Sequence, residues 1–335
     1  MKNKKDFLSI TDLDAKEIWQ VLIMAKKLKE ELKSKGKNNP LLKNKQMVML
    51  FEKPSLRTKL SFDFAFNQLG GHPIYFGANE VGLGKREPVS DVAQVISSMA
   101  DLVVARVFNH KDLVGLAENS NIPVINALSD LEHPCQALAD LLTIWEVKGK
   151  LDNLTVAYIG DGDNNVPHSL ILGCVLLGIN FSCASPKGYW MNKKIVEQAK
   201  NIAKVTGAKI IETEDPKEAV KNADVVYTDT WVSMGDEAEQ NKRLEIFKSY
   251  QVNQELMNLA NKDAIFMHDM PAYRENEVAS EVIDGPKSVI FQQAENRLHA
   301  QKSLMLWLLN QDIKLSTHSS LFHLGGIFKG GELYE

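Results

Sequence analysis

The sequence predicts an α/β protein of two domains, each a parallel sheet flanked by helices, with a C-terminal helix packing back on the first domain. Its 335 residues exceed the length at which one core usually keeps growing. Short apolar strands alternate with helical patterns, as in parallel sheets covered on both faces. A polar gap, EVKGKLDNL at 146–154, separates the halves. We therefore expect domains over 1–148 and 149–294, a returning helix over 295–312 and a tail over 313–335.

The first elements follow from local patterns. A helix is expected from about Thr11 to Lys33, with Thr11 as N-cap and apolar residues at helical spacing. The run QMVMLFE then predicts a buried strand. Helical periodicity returns over 55–68, and Gly70 and Gly71 are stop signals for that second helix.

Strands and helices alternate through the rest of the chain. Short buried strands are expected at LVVAR, PVINA, TVAYIG, FSCAS, AKIIE, DVVYT and AIFMH. Helical patterns lie between them near residues 90–100, 112–119, 134–147, 165–177, 192–206 and 216–222. A final helix, about Glu295 to Leu309, is free to return to the first half. The glycine-containing tail after it shows no periodicity.

Composition indicates a soluble protein and limits its partners. A net charge of -4 argues against a nucleic-acid binder as a whole, so any anion site must be local. The three cysteines, Cys135, Cys174 and Cys183, form neither a metal spacing nor a disulfide framework, which fits a reducing cytosol. Apolar runs are too short for a signal peptide or a bilayer span. We expect a cytoplasmic protein without membrane contact.

Anion-seeking groups follow three strands of the first half. After MVMLFE, Ser55, Arg57 and Thr58 stand at a helix start, the usual seat for a phosphate. The alternative is that Ser55 only caps the helix and Arg57 is solvated. Arg106 closes LVVAR, where a lone arginine usually reads as a surface salt-bridge partner.

The third of these strand ends carries a histidine. His133 and Gln136 stand at the mouth of the next helix, with Pro134 at its first position. The helix dipole biases such a histidine toward neutrality, which suits hydrogen-bond donation to an oxyanion. An ordinary capping loop is the alternative. Three such strand ends together favour an anion site at the carboxyl edge of the sheet.

The second half favours a cation. YIGDGDNNVPHS lacks the G-x-G-x-x-G pattern, and its two aspartates would repel a pyrophosphate, so a dinucleotide site is disfavoured. Asn165 offers an amide there. Asp229, with Ser233 and Met234, follows one strand, and Asp269 follows another. Solvated acidic loops are the alternative to an amine site.

Five ordered motifs resemble those of the carbamoyltransferases: FEKPSLRTKLSF, GLGKREPVSD, LSDLEHPCQALADLLTI, DTWVSMGDE and FQQAENRLHAQKSLM. The resemblance covers roughly residues 6 to 310. H-P-x-Q is typical of carbamoyltransferases generally, whereas D-x-x-x-S-M-G is typical of the ornithine branch. The resemblance implies transfer of a carbamoyl group from carbamoyl phosphate to the δ-amine of ornithine, in arginine biosynthesis or catabolism. It implies a carbamoyl-phosphate domain first and an amino-acid domain second.

The resemblance also implies roles for single residues. Catalytic roles would fall to Arg57, Thr58, Arg106, His133 and Asp269. Carbamoyl phosphate would be bound by Ser55, Leu56, Arg57, Thr58, Arg106, His133, Pro134, Gln136, Asp269, Met270 and Arg297. Ornithine would be bound by Asn165, Asp229, Ser233 and Met234. The leaving phosphate can accept the amine proton, so neither a metal nor an organic cofactor is expected.

The resemblance further implies a homotrimer with active sites between subunits. The loop EVGLGKRE lies where the family reaches toward a neighbouring subunit. Many members have a glutamine in that loop. Gly82 is the aligned residue here, so that contact is not carried over.

One motif departs from the family. The ornithine branch usually reads H-C-L-P where this chain has His268, Asp269, Met270 and Pro271. A carboxylate near the δ-nitrogen favours the unreactive ammonium form, unless it accepts the proton. Alternatives are therefore another acceptor, such as putrescine or a modified ornithine, or a non-catalytic regulatory paralogue.

Overall fold

The computed structural model describes residues 4–84, 86–232 and 237–309. Within them the backbone forms two parallel sheets, as the sequence predicts. The first sheet has the strand order β2-β1-β3-β4. Its strands are β1 Gln46–Phe51, β2 His72–Gly77, β3 Leu102–Arg106 and β4 Val124–Leu128. The helices of this half are α1 Ala15–Lys35, α2 Leu56–Gln68, α3 Ala78–Val81, α4 Val89–Ser97, α5 His110–Asn119 and α6 Pro134–Lys148.

The second sheet has the order β7-β6-β5-β8-β9. Its strands are β5 Thr155–Ile159, β6 Asn180–Ala184, β7 Ile210–Thr213, β8 Val225–Tyr227 and β9 Ile265–Met267. The helices that follow are α7 Asn165–Leu176, α8 Lys193–Thr206, α9 Pro216–Val220, α10 Gln240–Phe247, α11 Gln254–Met257, α12 Ser280–Ile283 and α13 Ile290–Leu308. Short central strands with buried side chains, flanked by helices, are the pattern that the apolar runs predicted.

The first helix begins later than predicted. Its N-cap is Asp14, whereas Thr11 lies in a preceding 3₁₀ turn, Ile10–Asp12. The Glu17 N–H donates to Asp14 Oδ1 at 2.8 Å, and the Asp14 N–H donates to Glu17 Oε2 at 3.1 Å. This reciprocal capping box satisfies two backbone donors, so it fixes the helix start better than Thr11 could.

Several elements were not predicted. Strand β2 lies at the sheet edge, where its side chains alternate between half-buried and exposed, and it contains Pro73, a residue confined to such edges. The helices α10, α11 and α12 were also missed. Helix α13 begins at Ile290 rather than near Glu295.

Helix α13 packs against α1, α2 and α6, and so returns to the first half as predicted. Polar contacts accompany the packing. Lys302 Nζ donates to Asn38 Oδ1 at 2.6 Å, and Ser303 Oγ donates to the Val21 carbonyl at 2.7 Å. Both side chains are buried. The helix therefore ties the end of the second half to the first.

A continuous apolar core joins the halves. One cluster of buried side chains includes α1 and α2, runs through the facing helices α6 and α7, and reaches β5 and β6. The carboxyl ends of both sheets border the cleft between the halves, which is where ligands of parallel sheets bind. None of the described helices is long and apolar enough to cross a membrane.

Candidate active site

Loops at the carboxyl ends of both sheets surround one cavity of about 310 Å³. The first half contributes the turn after β1, the ends of β3 and β4, and the start of α6. The second half contributes the loops after β5, β8 and β9, and α13 contributes Arg297. The cavity therefore combines the strand ends that the sequence singled out in each half.

The start of α2 forms one wall. Ser55 caps this helix, and its hydroxyl accepts a hydrogen bond from the Thr58 N–H at 3.3 Å. Leu56 and Arg57 follow, and both line the cavity. Free backbone N–H groups, the positive end of the helix dipole and an arginine in the first turn together suit a phosphate.

Three arginines distant in sequence, Arg57, Arg106 and Arg297, line the same cavity. Arg106 is buried rather than solvated, because β3 lies inside the sheet between β1 and β4. The Nε atoms of Arg106 and Arg297 are buried and find no hydrogen-bond partner among the described residues. Burial lowers the pKa of Arg106 to about 10, and the charges of Arg297 and Arg57 add to that effect. An anion placed between these guanidinium groups would relieve their repulsion.

His133 caps α6, and Pro134 occupies the first helical position as predicted. Burial, followed by the charges of Arg297 and Arg106, holds the pKa of His133 well below its ordinary value. The ring is therefore neutral near pH 7. Its Nδ1 is buried and has no hydrogen-bond partner in the described parts of the chain. A neutral imidazole among arginines can donate a hydrogen bond to an oxygen that gains charge.

Thr58, Pro134 and Gln136 lie behind the cavity wall rather than on it. Arg297 Nη2 donates to Thr58 Oγ1 at 2.6 Å, and Arg297 Nη1 donates to Gln136 Oε1 at 2.8 Å. Both partners therefore hold the Arg297 guanidinium in place. Sequence spacing predicted that these residues stand at helix starts, but not which of them face the cavity.

The opposite wall carries two carboxylates. Asp229 follows β8 and Asp269 follows β9, and these strands are neighbours in the sheet. Asn164 Nδ2 donates to Asp229 Oδ2 at 3.3 Å, and the Thr230 N–H donates to Asp229 Oδ1 at 2.6 Å. Burial and the negative charge of Asp269 raise the pKa of Asp229 well above its ordinary value. A protonated amine between two such carboxylates would stabilise both of them.

Hydrogen bonds from backbone N–H groups to side chains hold the loop after β9. The His268 N–H donates to Gln293 Oε1 at 2.9 Å, and the Met270 N–H donates to His268 Nδ1, also at 2.9 Å. The Met270-Pro271 peptide bond is cis, and Met270 has a φ of 60°. Asp269, Met270 and Pro271 all line the cavity.

Asn165 lines the cavity, but its amide is already engaged, since Nδ2 donates to the Ser129 carbonyl at 2.8 Å. The neighbouring Asn164 is the residue that contacts Asp229. Sequence reasoning missed Asn164. Its position as the N-cap of α7, where Oδ1 accepts from the Val166 N–H at 3.0 Å, was the available signal.

The cavity has other members that sequence reasoning did not assign. Lys53, Thr230, Val232 and Tyr273 line it. Lys53 directly precedes the turn that drew attention, whereas Tyr273 gave no signal. The predicted ornithine ligands Ser233 and Met234 lie outside the described residues, as does the predicted tail 313–335.

Asp229, His268 and Asp269 each offer a ligand atom, and these atoms lie within 4.8 Å of one another. Such a spacing is compatible with a metal ion. The two Asp229 oxygens, however, already accept from Asn164 and Thr230, and His268 Nδ1 accepts from the Met270 N–H. Asp229 and His268 are thus already engaged in hydrogen bonds within the carboxylate wall.

Comparison with known families identifies both halves. Residues 5–146 match the family model described as aspartate/ornithine carbamoyltransferase, carbamoyl-P binding domain. Residues 152–308 match the Asp/Orn binding domain of the same family. The chain belongs to the aspartate/ornithine carbamoyltransferase family. Arg57, Arg106 and His133 fall in the first matched region, whereas Arg297 and both carboxylates fall in the second.

Individual members of the family are similar over almost their whole length. The ornithine carbamoyltransferase of Anoxybacillus flavithermus is 49% identical over 305 residues, which cover 91% of this chain and 96% of that protein. The Bacillus subtilis ornithine carbamoyltransferase is 48% identical over 305 residues, covering 91% and 94%.

Solved structures of carbamoyltransferases share the fold. The ornithine carbamoyltransferase from Pyrococcus furiosus superposes with a TM-score of 0.89 at 46% identity, covering 92% of this chain and 97% of that chain. The anabolic ornithine carbamoyltransferase from Campylobacter jejuni gives 0.86 at 42% identity, covering 92% and 99%. The similarity therefore includes both sheets and the cleft between them.

Proposed function

We propose that this protein transfers the carbamoyl group of carbamoyl phosphate to the δ-amine of L-ornithine, giving L-citrulline and phosphate. One observation carries the proposal: three arginines and a neutral histidine face two carboxylates across a single cavity of about 310 Å³. An anionic donor and a cationic acceptor thus have separate walls in one space. The name shared by the relatives, ornithine carbamoyltransferase, supports ornithine as the acceptor.

The donor binds to the arginine wall. Arg57, with the backbone N–H groups of Ser55 and Leu56 at the start of α2, holds the phosphate, and Arg297 closes over it. Arg106 and His133 hold the carbamoyl oxygen. Thr58 and Gln136 act through Arg297, whose guanidinium they bind. Pro134 fixes the start of α6, and the backbone of Asp269 and Met270 faces the same ligand.

The acceptor binds to the carboxylate wall. Asp229, with Ser233 and Met234, holds the amino-acid end of ornithine, and Asn165 borders the same space. The uncharged δ-nitrogen then attacks the carbamoyl carbon, and the carbonyl oxygen gains charge as phosphate leaves. Donors aimed at that oxygen are each worth on the order of 10²–10³ in rate. Holding both substrates in line contributes up to about 7–11 kcal/mol.

Two groups can accept the proton of the attacking nitrogen. The leaving phosphate is one, and the Asp269 carboxylate is the other. Burial alone would raise the pKa of Asp269, but the neighbouring His268 and Asp229 lower it to about 2, which leaves the carboxylate ionised. Because Asp269 is ionised and lines the cavity, it can hold the attacking nitrogen or take its proton, although the leaving phosphate is the stronger base; we therefore assign Asp269 to the catalytic group. No step of this scheme requires a metal or an organic cofactor.

Asp269 also favours a second candidate function, carbamoyl transfer to another amine, because a carboxylate at this point can bind a second ammonium group. A panel of amines separates the two. The purified protein is incubated with carbamoyl phosphate and ornithine, putrescine or an N-acylated ornithine, and carbamoylated product is measured. Fastest turnover with ornithine is expected. Faster formation of carbamoylputrescine would overturn that choice, and no turnover with any amine would indicate a non-catalytic paralogue.

Arg57→Ala tests the donor side. The side chain lies on the cavity wall at the surface end of α2, so the variant should fold while carbamoyl-phosphate turnover is abolished. Arg274→Ala is a matched control, since Arg274 forms an exposed pair with Asp284. Retained activity of Arg57→Ala would remove this residue from the mechanism.

We also propose a homotrimer, as the family resemblance implies, and a cytoplasmic location. Exposed apolar residues on α2 and the edge strand β2 support an interface; we call Leu60, Phe64, Ile74 and Phe76 the β2-edge patch. Three unpaired, buried cysteines suit a reducing compartment. We place the first domain boundary at 148, where α6 ends and Gly149 caps it. Domains over 149–294 and 295–312 remain part of the proposal, although α13 starts at Ile290, inside the 149–294 domain.

A further inference from the structure

A buried carboxylate outside the cavity connects its two walls. Asp140 lies on α6, one turn after Gln136, and is only 1% exposed. Three donors converge on it. Gln136 Nε2 and Gln293 Nε2 both donate to Oδ1, at 2.8 and 2.7 Å, and the Tyr227 hydroxyl donates to Oδ2 at 3.3 Å. Burial raises the pKa of Asp140 to about 7, but every hydrogen-bond partner is a donor, so the site favours the ionised acceptor.

The first branch leads to the arginine wall. An ionised carboxylate only accepts hydrogen bonds, so the NH₂ end of Gln136 must face Asp140. The Gln136 carbonyl oxygen then faces the other way and accepts from Arg297 Nη1 at 2.8 Å. Arg297 in turn donates to Thr58 at 2.6 Å. The orientation of the Gln136 amide, and with it one anchor of Arg297, therefore depends on Asp140.

The second branch leads to the carboxylate wall by the same logic. Gln293 stands on α13 and presents its NH₂ end to Asp140 and, at 3.0 Å, to the Tyr227 hydroxyl. Its carbonyl oxygen accepts from the His268 N–H at 2.9 Å. His268 opens the loop that carries Asp269. One carboxylate oxygen thus orients two glutamines, which hold opposite walls of the cavity.

We propose that Asp140 is a positioning residue that sets the placement of Arg297 and of the His268–Pro271 loop together. The proposal rests on the function assigned above, because it assumes that a phosphate group and an amine bind at these two walls. Asp140 itself touches neither substrate. Its effect on the reaction passes through Gln136 and Gln293.

A second buried network on the same helix provides the contrast. Thr143 lies one turn beyond Asp140, is fully buried and accepts from Asn296 Nδ2 at 2.9 Å. Asn296 and its partners Lys29 and Glu146 do not line the cavity. Loss of the Thr143 hydroxyl thus removes two buried hydrogen bonds, from Asn296 and to the Ala139 carbonyl, without reorienting either glutamine.

The test compares Asp140→Asn with Thr143→Val and the wild-type protein. Asparagine keeps the volume but removes the negative charge and puts an NH₂ group in place of one carboxylate oxygen. The charge-assisted hydrogen bonds therefore weaken, and the glutamines no longer face a group that can only accept. Thermal unfolding, kcat, both KM values and the affinity for inorganic phosphate by calorimetry are measured for each protein.

We expect both variants to unfold at a somewhat lower temperature, but only Asp140→Asn to lose kcat and phosphate affinity, by about tenfold or more. A kcat and a phosphate affinity within twofold of wild type would overturn the proposal. If Asp140→Asn does not fold, Gln293→Met cuts the second branch alone. It should raise KM for ornithine severalfold with phosphate affinity unchanged, and unchanged KM would overturn the proposal.

The proposed function and the positioning role of Asp140 can fail separately. A wild-type protein that forms no citrulline would contradict the proposed function, yet the phosphate titrations of Asp140→Asn and Thr143→Val would still test the link to Arg297. Conversely, an active wild type with an equally active Asp140→Asn would leave the function intact and remove Asp140 from its machinery.

Discussion

Arg106 closes a buried strand and keeps a guanidinium out of water, although a charged group at a strand end is ordinarily solvated. Burying a charge without a partner is costly, and proteins usually retain such a group for a ligand. With a pKa of about 10, Arg106 stays protonated at neutral pH. His133, whose pKa is lowered, stays neutral beside it. The buried pocket thus combines a charged Arg106 with a neutral hydrogen-bond donor, His133.

At the scale of single residues, Asp269→Asn tests the position at which this chain departs from the family motif. As a proton acceptor, the ionised Asp269 should speed the reaction, and its loss should lower kcat at pH 7 by about 10²-fold. If the carboxylate only favours the ammonium form of ornithine, the substitution should instead raise kcat/KM. Steady-state kinetics with ornithine distinguish the two signs.

Asp163→Asn is the matched control for that substitution. Asp163 stands on the loop after β5, and its side chain is 61% exposed. Its kinetics should equal those of wild type. A higher kcat/KM for Asp269→Asn than for this control would contradict the assignment of Asp269 to the catalytic group.

Local chemistry could be predicted from the sequence at the strand ends, where a short apolar run followed by Ser55 or Pro134 fixes a helix start. Whether a residue lines the cavity or lies behind its wall could not be predicted. Thr58 and Gln136 lie behind Arg297, a residue far away in sequence, and only the folded chain brings these groups together. Asp140 gave no signal, because an acidic residue inside a helical pattern usually faces solvent.

At the scale of the elements, buried polar contacts hold α13 to α1 and α6. Lys29 Nζ on α1 lies 2.7 Å from Glu146 Oε2 on α6 and 2.6 Å from Asn296 Oδ1 on α13. The Glu146 carboxylate also accepts from Asn296 and Gln292. Three helices therefore share one buried ion pair, which holds the returning helix to the first half.

Lys29→Met should destabilise the protein by about 3 kcal/mol, because it leaves a largely buried carboxylate without its cation. Lys33→Met, which breaks an exposed pair with Glu295, should cost less than about 1 kcal/mol. Urea denaturation at pH 7 measures both. Equal costs for the two variants would contradict the role given to the Lys29 pair.

The same pair predicts a dependence on pH. Burial alone would raise the pKa of Glu146, but hydrogen bonds from Lys29, Asn296 and Gln292 lower it below 4.5. Its contribution to stability is therefore complete above pH 4.5 and is lost as the pH falls through the lowered pKa. The difference in stability between wild type and Lys29→Met should shrink over that acidic range.

Three of the missed elements gave only weak signals in the sequence. Strand β2 is an edge strand whose half-exposed alternation and Pro73 give a weak signal, and α11 and α12 are too short for helical periodicity to show. Central strands such as β3 and β5, buried on both faces, were predicted correctly because burial leaves an uninterrupted apolar run.

At the scale of the whole molecule, the loop before α6 is part of the first half but is hydrogen-bonded to α7 of the second. Ser169 Oγ on α7 accepts from the His133 N–H at 2.9 Å and donates to Glu132 Oε2 at 2.9 Å. His168 Nδ1 on the same helix bonds to the Leu131 carbonyl at 2.9 Å. The backbone of His133 is therefore tied to α7 of the second half as well as to α6.

Assembly is tested by the β2-edge patch. We expect a mass in sedimentation three times the 37.5 kDa of the chain. Phe64→Glu places a charge in this exposed apolar patch and should give monomers with little activity if, as we propose, the active sites lie between subunits. Val205→Glu, an equally drastic change at an exposed residue of α8, should leave the trimer intact. A trimeric Phe64→Glu variant would place the interface elsewhere.

The central claim is that guanidinium groups from three distant parts of the chain bind one phosphorylated donor opposite an amine site. A crystal structure with bound carbamoyl phosphate tests it most directly. We expect nitrogen atoms of Arg57, Arg106 and Arg297 within about 3 Å of ligand oxygens, with Asp229 and Asp269 on the far side. A ligand held by only one of these arginines, or bound against the carboxylates, would contradict the account.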